Sequence, residues 1–162
     1  EFSEKIGLSG REEGDGDLVQ GLLAVMHKGE ADFTLTFRRL GDAVTPEGDA
    51  AFLDGFSGGV MEAGVTARAA ALEWLVQWRL RLERDGHGAE AQRAVMRAKN
   101  PAIIARNHRI EEAIAAANYG DFSYFERLTT ALEKPYEDQP EYDDLTEPPT
   151  VDERVLRTFC GT

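Results

Sequence analysis

MRAKNPAIIARNHRIEEAIAAANYGDFSYFERLTTAL, residues 96–132, decides the fold. Pro101 disfavours helical geometry at Asn100, so a helix over residues 89–98 ends there and residues 102–106 form an apolar connector. From Asn107 to Asn118, Ile110, Ala113, Ile114 and Ala117 recur at spacings of 3, 4 and 7, one face of a helix that Gly120 closes. Ser123 and Glu126 match the S-x-x-E capping box, which opens a further helix with Phe125, Leu128 and Leu132 inward and Pro135 at its exit.

Working towards the N-terminus, residues 66–84 contain neither Gly nor Pro and read as one long helix. Its Leu72, Trp74, Leu75, Val76, Trp78, Leu80 and Leu82 wrap more than half of the circumference and leave Glu73, Gln77, Arg81 and Arg84 as a polar side. Such a helix is expected to pack on several sides, at the centre of a bundle. Residues 45–64 read as a glycine-rich loop with a brief helix over 50–56, and Gly55 to Gly59 as its flexible part. The segment 32–44 alternates like a strand at Phe33–Phe37, but Phe33, Phe37, Leu40 and Val44 also fit helical spacing behind a capping Asp32, and the helix is preferred. Leu18, Leu22, Val25 and Met26 predict a helix capped by Asp17 and stopped at Gly29. Residues 9–17 read as an exposed loop, and residues 2–8 as a helix tail with Phe2 and Ile6 on one face.

Beyond Pro135, residues 137–153 hold eight acidic residues, three prolines and no Lys or Arg, a composition that buries little. The expected fold class is therefore all-α, a bundle of about six helices. Residues 1–134 form the helical domain, and residues 135–162 an extended acidic C-terminal tail that ends in Cys160-Gly161-Thr162.

Thirty acidic against eighteen basic residues give a formal charge of -12, which argues against nucleic acid and anionic membrane surfaces as partners. No apolar run reaches the roughly 20 residues of a membrane span. The start, EFSEKIGL, has neither an initiator Met nor a signal-like apolar segment, so a fragment of a longer protein is expected. The single cysteine excludes an internal disulfide and an all-cysteine zinc site, and fits a reducing, cytoplasmic setting.

Candidate chemistry is sparse. His27, His87 and His108 share no metal-type spacing and read as surface residues; Glu111 and Glu112 diverge by about 100° on a helix and make no facing acid pair. Asp143-Asp144 is no better placed, and Trp74 and Trp78 read as core. No Gly-rich phosphate loop and no kinase-type motif occurs, so no catalytic, cofactor or metal residue is assigned. From Arg68 to Arg109 nine basic residues face four acidic ones, which reads either as a solvated helix face or as a surface that docks an acidic partner. Cys160 is sterically free and is the one candidate redox residue.

The run NPAIIARNHRIEEAIAAANYGDFSYFERL (residues 100–128), the earlier ADFTLTFRRL (residues 31–40) and the final Cys160-Gly161-Thr162 resemble the end of selenoprotein O family proteins, with the likeness running from about Ile6 to Thr162. The resemblance implies a protein adenylyltransferase with a kinase-like core that transfers AMP from ATP to protein hydroxyls with Mg²⁺, in the cytoplasm of a bacterium. It also implies that ATP and Mg²⁺ bind outside this chain, whose helices pack against the N-terminal kinase-like core. In that family the third residue from the end is selenocysteine or cysteine, which implies that Cys160 pairs with a cysteine nearer the core. The alternative is a self-standing helical interaction domain, which would be fully covered and indifferent to ATP.

Overall fold

A computed structural model of the chain describes residues 2–56 and 61–155, apart from the side chains of residues 61–63. All regular structure among the described residues is helical, in nine α-helices and three short 3-10 turns. That exceeds the expected six because α1 (Phe2–Lys5), α4 (Asp49–Asp54) and α9 (Asp143–Thr146) are only one or two turns long. The chain divides into two compact units, Glu1–Asn100 and Pro101–Thr162. The division falls at the helix end expected from Pro101, where Asn100 has the extended φ of -116° and ψ of 110°.

In the first unit, α2 (Asp15–Lys28) packs along α5 (Met61–Asp85), with α3 (Phe33–Leu40), α4 and α6 (Ala89–Lys99) completing the core. The helix alternative for residues 33–40 holds because Asp32 caps it, its carboxylate accepting the Leu35 N–H at 2.8 Å. Ile6, Leu22, Phe37, Leu40, Phe52, Phe56, Leu75, Trp78 and Met96 are sealed from solvent. Trp74 and Trp78 are core residues as expected, stacked at 5.6 Å with 14° between ring planes. Each indole N–H finds a backbone carbonyl at 2.8 Å, Leu18 for Trp74 and Ile6 for Trp78, which removes the cost of burying a polar group.

The central helix departs from its expected packing. Ala67, Ala71, Trp74, Leu75, Trp78 and Leu82 form one buried stripe, whereas Leu72, Val76 and Leu80, four residues apart, are each about half exposed. Helical periodicity puts those three on one line, and no element among the described residues of the unit covers it. Arg81, assigned to the polar side, is 3% exposed instead.

The loop over residues 9–17 is likewise tied down. Helix α2 starts at Asp15 rather than after Asp17, and Asp15 is buried against Arg81. The Ser9 N–H donates to Asp85 at 2.9 Å, and Arg84 donates to Glu12 at 2.9 Å.

The second unit is built from α7 (Asn107–Ala117), α8 (Ser123–Leu132) and α9. The Ala102 and Ile103 N–H groups both donate to the Pro135 carbonyl, at 2.7 and 3.1 Å, tying the connector to the exit of α8. Gly120 takes the left-handed φ of 86° that ends α7. The capping box does not form: Phe122 is the N-cap of α8, and the Asp121 carboxylate accepts the Ser123 N–H at 2.9 Å.

The acidic segment after Pro135 is not uniformly extended. Leu145 of α9 joins Ala102, Ile103, Leu128 and Ala131 in a second core, with Tyr142 packed against it. Arg127 and Arg109 reach this segment from α8 and α7. Arg127 pairs with Asp144 at 2.6 Å and lies over the Tyr142 ring, and Arg109 donates to the Asp144 carbonyl at 2.8 Å. The segment lacks basic residues of its own, so its charge is met by arginines earlier in the chain.

Candidate functional site

Helix α7 opens without a side-chain cap, since its N-cap residue Arg106 has no side-chain acceptor for a first-turn N–H. The first N–H groups of a helix have no partner within it and carry the positive end of its dipole. Beside them lies a cavity of about 430 Å³, lined by residues 104–108, Pro149 and residues 153–155. It brings Arg106, His108, Glu153 and Arg154 together. Glu153 is engaged locally, its carboxylate accepting the Thr150 N–H at 2.8 Å.

His108 corrects the reading of all three histidines as surface residues. His27 and His87 are exposed, but His108 is 4% exposed and its buried Nε2 has no hydrogen-bond partner. Its place as the second residue of α7 turns the ring inward, which spacing between histidines does not reveal. Burial, followed by the charge of Arg109, holds its pKa below the ordinary imidazole value; Glu153 and Glu112 oppose this, and Arg106 adds to it. In the unfolded chain His108 takes up a proton near pH 6.5, so the folded state binds fewer protons just below that pH. Its contribution to stability is therefore full above about pH 6.5 and declines as the pH falls towards the folded-state pKa. A histidine-ring NMR titration is expected to give His108 a midpoint below 6.5; a midpoint at or above it would contradict the buried, neutral ring.

Neither glutamate beside this histidine is set up as a catalytic partner. Glu111 is exposed, and Glu112 is held by Arg109 at 2.9 and 3.0 Å. Asp144 is likewise committed to Arg127, whose guanidinium holds its carboxyl below the usual range.

A second feature of this unit is an apolar groove of about 390 Å³ between α7 and α8. Ile114, Phe122 and Phe125 line it and are half exposed or more.

The basic run from Arg68 to Arg109 is largely neutralised within each unit. Arg68 pairs with Asp54, Arg79 with Asp49, Arg84 with Glu12, Arg93 and Arg97 with Asp42, Lys99 with Glu4, and Arg109 with Glu112. These contacts favour a charge-balanced surface over a basic patch. Among the described residues no group of His, Cys, Asp and Glu is arranged to hold a metal ion, and no helix is long and apolar enough to cross a membrane. Cys160 and residues 57–59 of the glycine-rich loop lie outside the described residues.

Comparison with known proteins places residues 1–133 on the profile of a family described as protein adenylyltransferase SelO. Among curated proteins, the chain is 53% identical over 160 residues to protein nucleotidyltransferase YdiU of Rhizobium johnstonii, covering 98% of this chain and 30% of that protein. It is 48% identical over 160 residues to the protein of the same name from Rhizobium meliloti, covering 98% and 31%. Over 162 residues it is 45% identical to that of Rhodopseudomonas palustris, covering 99% and 31%. The chain thus spans about 30% of the length of the relatives it matches.

Proposed function

The chain belongs to the SelO family of protein adenylyltransferases, and from that premise we propose that it is the C-terminal helical region of an enzyme that transfers AMP from ATP to protein hydroxyls. In this reading ATP, Mg²⁺ and the reacting groups are held by the kinase-like core, in the part of the relatives that this chain does not span. The observation that carries it is the family match over residues 1–133, in a sequence without a phosphate-binding motif of its own.

The helical region braces that core. Two uncovered apolar surfaces support this part of the reading: the Leu72–Val76–Leu80 line of α5, and the groove between α7 and α8. Apolar surface left open in this way marks a face that docks on another part of the protein or on a partner. Cys160 serves as a redox residue that pairs with a cysteine in the remainder of the protein, and the enzyme works in the bacterial cytoplasm on protein substrates.

The test is transfer of label from α-³²P-ATP, with Mg²⁺, to a generic protein acceptor. The expected result is no labelling by this chain alone and labelling by a longer protein that contains it. Label transferred by the 162 residues alone would overturn the assignment of the chemistry to the remaining part. No label from the longer protein would overturn the activity itself.

A further inference from the structure

We propose that the apolar groove between α7 and α8 seats an amphipathic helix with basic flanks, supplied by the part of the protein that this chain does not span. The inference rests on the bracing role proposed above and deepens it by naming the occupant of the groove through its chemistry.

Ile114, Phe122 and Phe125 stand half exposed or more around a floor that includes the buried Ala113 and Leu128. Large apolar side chains left open side by side mark a face that meets another surface. Helices α7 and α8 are 11 and 10 residues long, so the trough between them runs for roughly 15 Å, about three helical turns. That length suits a third helix with apolar anchors at i, i+3 or i+4, and i+7.

The rim sets the charge of that helix. Glu111, Glu126 and Glu133 directly follow the groove-lining Ile110, Phe125 and Leu132, and so stand about 100° round their helices from them. All three are exposed and have no ion pair among the described residues. The basic residues of the two helices and the α8 exit are engaged elsewhere, Arg109 with Glu112, Arg127 with Asp144 and Lys134 with Glu137. The second unit as a whole holds thirteen acidic residues against six basic ones. Lys or Arg beside the apolar stripe of a partner is attracted to such a rim, and acidic flanks are repelled.

The same rim argues for the source. A second copy would bring an identical acidic groove, so a two-fold pairing would set like charges against each other. The remainder of the protein has the length to supply the helix, since this chain covers only 30% of its relative from Rhizobium johnstonii.

The experiment is hydroxyl-radical footprinting, read residue by residue by mass spectrometry, on this chain alone and on the longer protein that contains it. Phe122 and Phe125 are expected to oxidise freely in the isolated chain and about tenfold more slowly in the longer protein, at every protein concentration. Glu111→Lys with Glu126→Lys, both at exposed positions, is expected to restore their oxidation at least about threefold, the scale of one or two surface charge contacts. Protection already present in the isolated chain, protection lost on dilution, or protection unchanged by the two substitutions would each overturn the proposal. So would the absence of protection in the longer protein, and Leu72, Val76 and Leu80 then separate two failures. If these three are protected there, the bracing role stands without this groove; if they too stay open, the bracing role falls with it.

Discussion

Arg81→Ala is expected to destabilise the first unit by about 3–5 kcal/mol, the scale for removing one partner of a buried ion pair. Arg81 lies between two carboxylates, donating to Asp15 at 2.7 Å and to Asp85 at 2.6 Å, and all three side chains are less than 10% exposed. Its loss leaves two poorly solvated negative charges close together. Domains of this size are stable by only about 5–15 kcal/mol, so the variant is expected to unfold at a much lower urea concentration. The measurement is urea denaturation followed by circular dichroism at 222 nm. Adding Asp15→Asn and Asp85→Asn to Arg81→Ala should recover part of the loss, because the stranded charges are then gone. No recovery would mean that lost packing, not charge, sets the cost.

The same network gives an acid limb. The Arg81 hydrogen bond holds the Asp15 carboxyl below its ordinary value of 3.8. For Asp85, burial pushes the carboxyl up, but hydrogen bonds from Arg81 and the Ser9 N–H outweigh it and bring it below 3.8. Depressed carboxylates stabilise the fold above their unfolded-state pKa, and that stabilisation disappears as the pH falls through the folded-state values. The network's share is therefore complete above about pH 5 and declines as the pH falls through and below the ordinary carboxyl value of 3.8, and Arg81→Ala should flatten that limb.

Trp78→Ala is expected to cost a similar ~3–5 kcal/mol for a different reason. Trp78 is wholly buried, stacks on Trp74, and donates its indole N–H to the Ile6 carbonyl. Removing the ring opens a cavity and strands that carbonyl. Trp78→Phe keeps much of the volume and is expected to cost about half as much. Urea midpoints of the two variants separate the terms: equal losses would show that the hydrogen bond outweighs the ring.

Local signals were the most legible part of the sequence. Asp32, the Asn100-Pro101 pair, the α7 stripe and Gly120 were readable because each acts within one or two turns of chain. The capping box failed since Asp121, two residues upstream of Ser123, competes for the same N–H and takes it at 2.9 Å. Burial was less legible. Leu72, Val76 and Leu80 have the hydrophobicity of core residues, and whether such a line is covered depends on partners that a helical period does not encode. Arg81 and His108 were misassigned for the converse reason, because polar residues are buried when distant partners or a helix start accommodate them. Asp15 lies 66 positions before Arg81, beyond any local pattern. The α7 cavity escaped notice too, as it forms only when residues 149–155 come back to the helix start.

The stacked indoles have an optical consequence. Both tryptophans of the chain belong to the first unit, while its four tyrosines, at positions 119, 124, 136 and 142, all belong to the second. Excitation at the red edge of the absorption band, where tyrosine is silent, therefore addresses the first unit alone. With ring centroids 5.6 Å apart, the indole pair is close enough for its transitions to couple, giving a paired band in the circular dichroism that lasts only while α5 holds both rings in register. The first unit thus carries its own built-in chromophores, and its melting can be followed selectively without a label.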